Sequence, residues 1–179
     1  MAMKSWERTE PCNYTPGVAP DIPRGILRTA GTHMPPPKKQ IYLAGSLRNP
    51  GIVAIAEMLQ ARTGISVFAD WFAAGEHADD AWRDYCKTRG LTYRQALNEP
   101  AAKNVFEFDK KHILASDIMV VAMPAGKSAF LELGWFIGQG KPGYILLDDQ
   151  VDRWDVMFQF ATGVFETLDE LSAHIKENH

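Results

Sequence analysis

The sequence predicts an α/β protein, a Rossmann-like (flavodoxin-like) three-layer sandwich around a parallel sheet of four to five strands. Three observations lead there. Short apolar runs at residues 41–44, 65–69, 118–123 and 144–147 have the length and composition of strands covered on both faces. The segments between them carry helical periodicity. Each strand run also ends in small or polar residues, which is where parallel sheets bind ligands.

Residues 1 to about 39 are rich in Pro, Thr, Gly and Ala, lack a sustained period and end in Pro35-Pro36-Pro37-Lys38-Lys39, the composition of an arm without its own core. Gly31-Thr32-His33-Met34 looks like a tag junction or an alternative start, which would make residues 1–33 an appendage. A single domain is expected over 40–179. Its first strand ends at Gly45-Ser46. The first helix, about 50–62, aligns Ile52, Ile55 and Leu59 and stops at Gly64. The second strand delivers Asp70 and Trp71 to its carboxyl end. From about 73 to 100 the chain turns polar and aromatic, with helical segments near 79–85 and 93–97. This insertion exceeds what a crossover needs, and is either a lid or interface element or a solvated helical excursion.

A helix over about 102–115 leads into the third strand. The turn after it opens a helix that holds Glu132 and that Gly138, Gly140 and Pro142 bring to a stop. The fourth strand exits at Asp148-Asp149. A short helix near 154–161, a fifth strand near Val164-Phe165 and an amphipathic helix over 168–176 complete the chain.

A hydrophobic share of 46%, a charged share of 23% and a net charge of −3 give no electrostatic reason to expect a nucleic-acid polymer as partner. No apolar run is long enough to span a bilayer, and the N-terminus lacks the apolar core of a secretory signal, so no membrane partner and a cytoplasmic location are expected. Cys12 and Cys86 have no metal-ligand spacing, and the five histidines show none either. Two free thiols, no metal and no cofactor are expected.

Glu132 is the leading candidate for chemistry. A carboxylate near the start of an otherwise apolar helix, followed by Leu133, Gly134, Trp135, Phe136 and Ile137, costs desolvation unless paired, and such groups concentrate at functional sites. The bland alternative is a Glu that complements the helix dipole. Gly45-Ser46-Leu47-Arg48 reads either as an anion cradle or as a plain turn with an N-cap. Asp70 either caps the next element or bonds a ligand. Asp109 lies among Phe106, Phe108 and Ile113 but beside Lys110 and Lys111, so it points inward or stays on the surface. Tyr42, within a strand, reads first as core. Leu131, Trp135 and Phe136 offer more apolar bulk than one core stripe absorbs, which predicts self-association as a homo-oligomer.

Taken together, Ile41-Tyr-Leu-Ala-Gly-Ser46, Asp109 before Ala115-Ser-Asp117-Ile-Met-Val-Val, and Phe130-Leu-Glu132-Leu-Gly134 with Gly140-Lys141-Pro142 resemble the nucleoside 2-deoxyribosyltransferase superfamily, which includes deoxynucleoside 5′-monophosphate N-glycosidases. The likeness covers about residues 40–147, weakly through 71–103. It implies a Rossmann-like fold acting on the N-glycosidic bond of a nucleoside or nucleotide. Glu132 takes the place of the nucleophile, Asp109 that of the acid/base partner, and Tyr42 positions or polarises that centre. In the nucleotide-cleaving branch the loop after strand one binds phosphate, and Ser46-Leu47-Arg48 is similar to it. The turn from Pro124 to Glu132, with Gly126 and Ser128, also resembles that of nucleotide phosphoribohydrolases, departing at Ala125, Ser128 and Ala129. The substrate-binding set expected is therefore Gly45, Ser46, Arg48, Asp70, Gly126 and Ser128. Two other classes stay open: a non-catalytic nucleotide-binding or sensing module, and an NAD glycohydrolase, since some TIR-like domains resemble this architecture and use a glutamate.

Overall fold

Strands β1 (Gln40–Ala44), β2 (Ser66–Phe68), β3 (Ile118–Ala122), β4 (Gly143–Leu146) and β5 (Gly163–Phe165) pair in parallel throughout, in the order β2-β1-β3-β4-β5. The computed structural model describes residues 38–147 and 154–179, all within one compact unit, Pro35–His179. The helices are α1 (Ile52–Thr63), α2 (Ala78–Thr88), α3 (Tyr93–Ala96), α4 (Pro100–Ala115), α5 (Lys127–Ile137) and α6 (Leu168–Asn178), with 3-10 turns at Asp70–Ala74 and Val156–Phe160. The strand order reverses between β1 and β3, the switch point at which such sheets open a crevice.

Alternation along β1 divides the core. Ile41 and Leu43 face α1 and α6, packing with Ile52, Leu59, Leu171 and Ile175. Tyr42 and Ala44 face the opposite layer, with Phe68, Ile113, Leu133 and Phe136 from β2, α4 and α5. β3 is buried at every position, as its unbroken apolar run predicts. Local signals set the helix ends. Gly64 closes α1 in a left-handed conformation (φ 73°), its N–H bonding the Gln60 carbonyl. Pro100 sits in the first turn of α4, and Thr167 with Glu170 forms a capping box on α6.

Some expectations change. β2 is three residues because it is an edge strand pairing only with Gln40, Ile41 and Tyr42. The segment near 154–161 is a 3-10 turn. After α5 the left-handed residue is Gly140 (φ 76°), whereas Gly138 keeps helical angles. Phe136 is fully buried, so the apolar bulk that α5 leaves exposed is Leu131 and Trp135. The expected N-terminal arm, Cys12 and the Asp148-Asp149 strand exit lie outside the described residues. Cys86 is a free, buried thiol. Among the described residues no helix is long and apolar enough to cross a membrane.

Candidate active site

The layer between β1, α4 and α5 gathers Tyr42, Asp109 and Glu132. Tyr42 is 2% exposed, its ring stacked on Phe68 with centroids 5.5 Å apart. Phe68 in turn stacks on His112 at 3.9 Å and 9°, which fixes the turn of α4 that carries Asp109 three residues earlier. On α5, Phe130, Leu133, Gly134 and Ile137 form one flank and line an apolar cavity of about 570 Å³ against Met157 and Phe158. Glu132 projects from the other flank, with α4 packed against the same helix, so that cavity is not the carboxylate site.

Burial and mutual charge set the proton affinities of these groups. Burial, then the Asp109 charge, pushes the Glu132 carboxyl up to about 7. Burial also raises Asp109, with His112 opposing it. The Tyr42 phenol is raised by burial, then by Glu132 and Asp109, so it stays protonated and can only donate to an anion. Neither carboxylate has an ion-pair partner among the described residues, and Asp109 Oδ1 is buried without a hydrogen-bond partner there. Two half-buried carboxyl groups without an ion-pair partner, coupled electrostatically to each other and to a buried phenol, are costly to assemble for stability alone. They can supply one ionised and one protonated carboxyl near neutral pH.

The remaining candidates surround the carboxyl ends of the strands, with differing local reasons. A Cβ on Gly45 would lie 2.6 Å from Ile52 Cδ1 and 3.2 Å from the Ala122 carbonyl oxygen, so close packing demands that glycine. Ser46 Oγ accepts the Arg48 N–H at 3.1 Å. Arg48 is held by Asp80 of the insertion at 2.8 Å. Asp70 opens its 3-10 turn exposed to solvent. Gly126 is the N-cap of α5 with open space where a Cβ would point, and Ser128 is exposed one residue inside that helix. No group of three metal-ligating side chains forms among the described residues.

Sequence reasoning missed three positioning residues. Trp71 donates its indole N–H to the Leu43 carbonyl at 2.7 Å and tethers the turn after β2 to the end of β1. Asn49, 7% exposed, donates to the Met123 carbonyl at 3.2 Å, tying the loops after β1 and β3. His112 forms the stack on Phe68. Only Trp71 carried a local signal, its place beside Asp70 at a strand end.

No protein-family model matches the chain, and no curated protein matches it. Among solved structures it is similar to a 2-deoxyribosyltransferase from the psychrotolerant bacterium Bacillus psychrosaccharolyticus, at 19% identity. The match covers 76% of this chain and 95% of that one, with a TM-score of 0.51. At that identity the likeness shows a shared Rossmann-like fold.

Proposed function

We propose that this chain cleaves or transfers the N-glycosidic bond of a nucleoside or nucleotide, as a member of the nucleoside 2-deoxyribosyltransferase superfamily. The observation that carries the reading is Glu132, half-buried and unneutralised beside Asp109 and Tyr42. The fold shared with a 2-deoxyribosyltransferase supports it, as do the motif blocks around Tyr42, Asp109 and Glu132.

The chemistry follows from the residue types. Loss of the base leaves positive charge on the sugar, and ionised Glu132 attacks the anomeric carbon to give a glycosyl ester. The leaving nitrogen needs a proton; the Asp109 charge that raises Glu132 to about 7 places the pair's proton on Glu132 at rest, so it passes to Asp109 as Glu132 ionises, and Asp109 delivers it to the leaving base. The Tyr42 hydroxyl donates toward the Glu132 carboxylate and orients it. Water attacking the ester completes hydrolysis, with Asp109 taking the water's proton; a second base attacking it completes transfer. Gly45, Ser46, Asp70, Gly126 and Ser128 border the crevice in which the substrate lies. Cytoplasmic residence and self-association through Leu131 and Trp135, 75% and 43% exposed, belong to the same reading.

The test is chromatographic analysis of products after incubating wild type and Glu132→Gln with nucleosides, deoxynucleoside monophosphates and NAD, with and without added free base. Base release or exchange by wild type alone supports the proposal. Binding without turnover by either protein would replace it with a nucleotide-binding module.

A further inference from the structure

We infer that His112 is a positioning residue that acts through Asp109: as an imidazolium held against the face of Phe68, it decides which of the two carboxyl groups carries the proton they share. This rests on the glycosidic reading of the site and adds a residue to its proton chemistry.

The first observation is the ring geometry. His112, half-buried on α4, lies on Phe68 with centroids 3.9 Å apart and planes 9° from parallel, and Phe108 meets it at 4.6 Å and 55°. Two neutral rings set face to face repel, because each presents the negative side of a quadrupole, and they settle offset or edge-on at centroid separations of about 4.5–7 Å. An imidazolium reverses the sign, since the negative face of a ring attracts a cation. So close and parallel a stack suits an imidazolium better than a neutral ring. Phe68 also stacks on Tyr42 at 5.5 Å, so the ring that holds His112 also holds the phenol of the site.

The second observation is a pairing of unmet groups. Among the described residues the His112 ring nitrogens have neither a hydrogen bond nor a carboxylate within ion-pair distance, and only the His112 carbonyl is engaged, by the Ser116 hydroxyl. Asp109 lies three residues earlier, on the same helical face one turn away, with Oδ1 buried and unpartnered. The His112 charge acts on it, opposing the effect of burial. Other charges nearby are engaged or turned away: Lys110 pairs with Glu107 at 3.5 Å, and Lys111 is exposed. From the elements packed against α4, the titratable groups coupled to Asp109 are Glu132 of α5 and Tyr42 of β1. While His112 is charged, Asp109 stays an anion and the shared proton rests on Glu132. Loss of that charge moves the proton toward Asp109, which leaves Glu132 ionised and Asp109 able to protonate the departing base.

The experiment compares wild type with His112→Phe, which keeps an aromatic ring on Phe68 and deletes the charge, and with His112→Arg, whose planar cation can stack on the same face. One arm follows the carboxyl carbons of Asp109 and Glu132 by NMR against pH, assigned with Asp109→Asn and Glu132→Gln. The other follows kcat/KM against pH for the nucleosides that wild type cleaves. In His112→Phe the share of the proton on Asp109 relative to Glu132 should rise by about two- to fivefold, the plateau of kcat/KM should rise by a similar factor, and the acid limb should move to higher pH. His112→Arg should titrate as wild type does. His112→Gln, which removes the charge without a ring, should move the carboxyl titrations in the same direction as His112→Phe and keeps the test decisive if the Phe variant folds poorly. Carboxyl titrations that match wild type in the uncharged variants, or that move equally in His112→Arg, overturn the inference and leave His112 a packing residue. So does an active, folded His112→Phe whose plateau does not rise. The carboxyl arm needs no turnover, so a chain whose proton moved to Asp109 in His112→Phe yet cleaved nothing as wild type would sink the glycosidic reading and leave the proton placement standing.

Discussion

Asp109 on α4 raises the proton affinity of Glu132 on α5, two carboxyl groups brought together from helices on either side of β3 in sequence. The pair shares one layer with the Tyr42 phenol, and among the described residues no Lys or Arg forms an ion pair with it, His112 only opposing the rise of Asp109. The chemistry proposed here depends on that relationship, and most of the following tests perturb it.

Replacing Glu132 by Gln keeps the shape and removes the nucleophile. Turnover should fall by at least about a thousandfold, to the level that positioning and proton transfer alone supply. Circular dichroism and thermal melting should show a folded protein. A Gln variant with near wild-type kcat would remove Glu132 from the mechanism.

The raised Glu132 pKa has a defined consequence for stability. With a folded value of about 7 against an ordinary 4.5, the folded protein holds the extra proton between those values. Below about pH 4.5 Glu132 carries no penalty. As pH rises through about 7 the buried group ionises, and up to about 3 kcal/mol of stability is lost. Denaturant unfolding at a series of pH values should show this decline in wild type and a flatter profile in Glu132→Gln.

Asp109→Asn should lower kcat by about 100- to 10,000-fold for ordinary bases, with a smaller loss for bases that leave without protonation. Because the Asp109 charge raises Glu132, the same substitution should lower the Glu132 pKa and move the acid limb of the kcat/KM profile to lower pH. An unmoved limb would mean that the two carboxyls do not communicate.

Tyr42→Phe retains the buried ring and its stack on Phe68 but deletes the hydroxyl that the proposed mechanism directs at Glu132. Stability should change by less than about 1.5 kcal/mol, while kcat falls by roughly tenfold or more, as when one preorganised donor is lost. Equal, large losses of stability and activity would assign Tyr42 to packing alone.

Gly45→Ala tests packing beside the site. The added methyl meets Ile52 and the Ala122 carbonyl, so a loss of about 1–3 kcal/mol is expected in equilibrium unfolding. A neutral result would show that α1 can shift without cost.

The sequence by itself determined the layer order, because the apolar run of β3, the alternation of β1 and the stop at Gly64 are local consequences of burial and backbone geometry. It also singled out Glu132, since a carboxylate in an apolar helix conflicts with its surroundings whatever the fold. Asp109 and Tyr42 remained ambiguous from residue pattern alone, as surface or inward and as core or site. Only the tertiary structure couples their charges to Glu132, because that depends on α4 packing against β1 and beside α5. The partner of Arg48 was equally unreadable, since Asp80 lies 32 residues away, and pairing across such a separation is set by how the insertion folds back on the sheet edge. Local sequence encodes the periods and stops of single elements, whereas charge pairing and proton affinity belong to distances between elements.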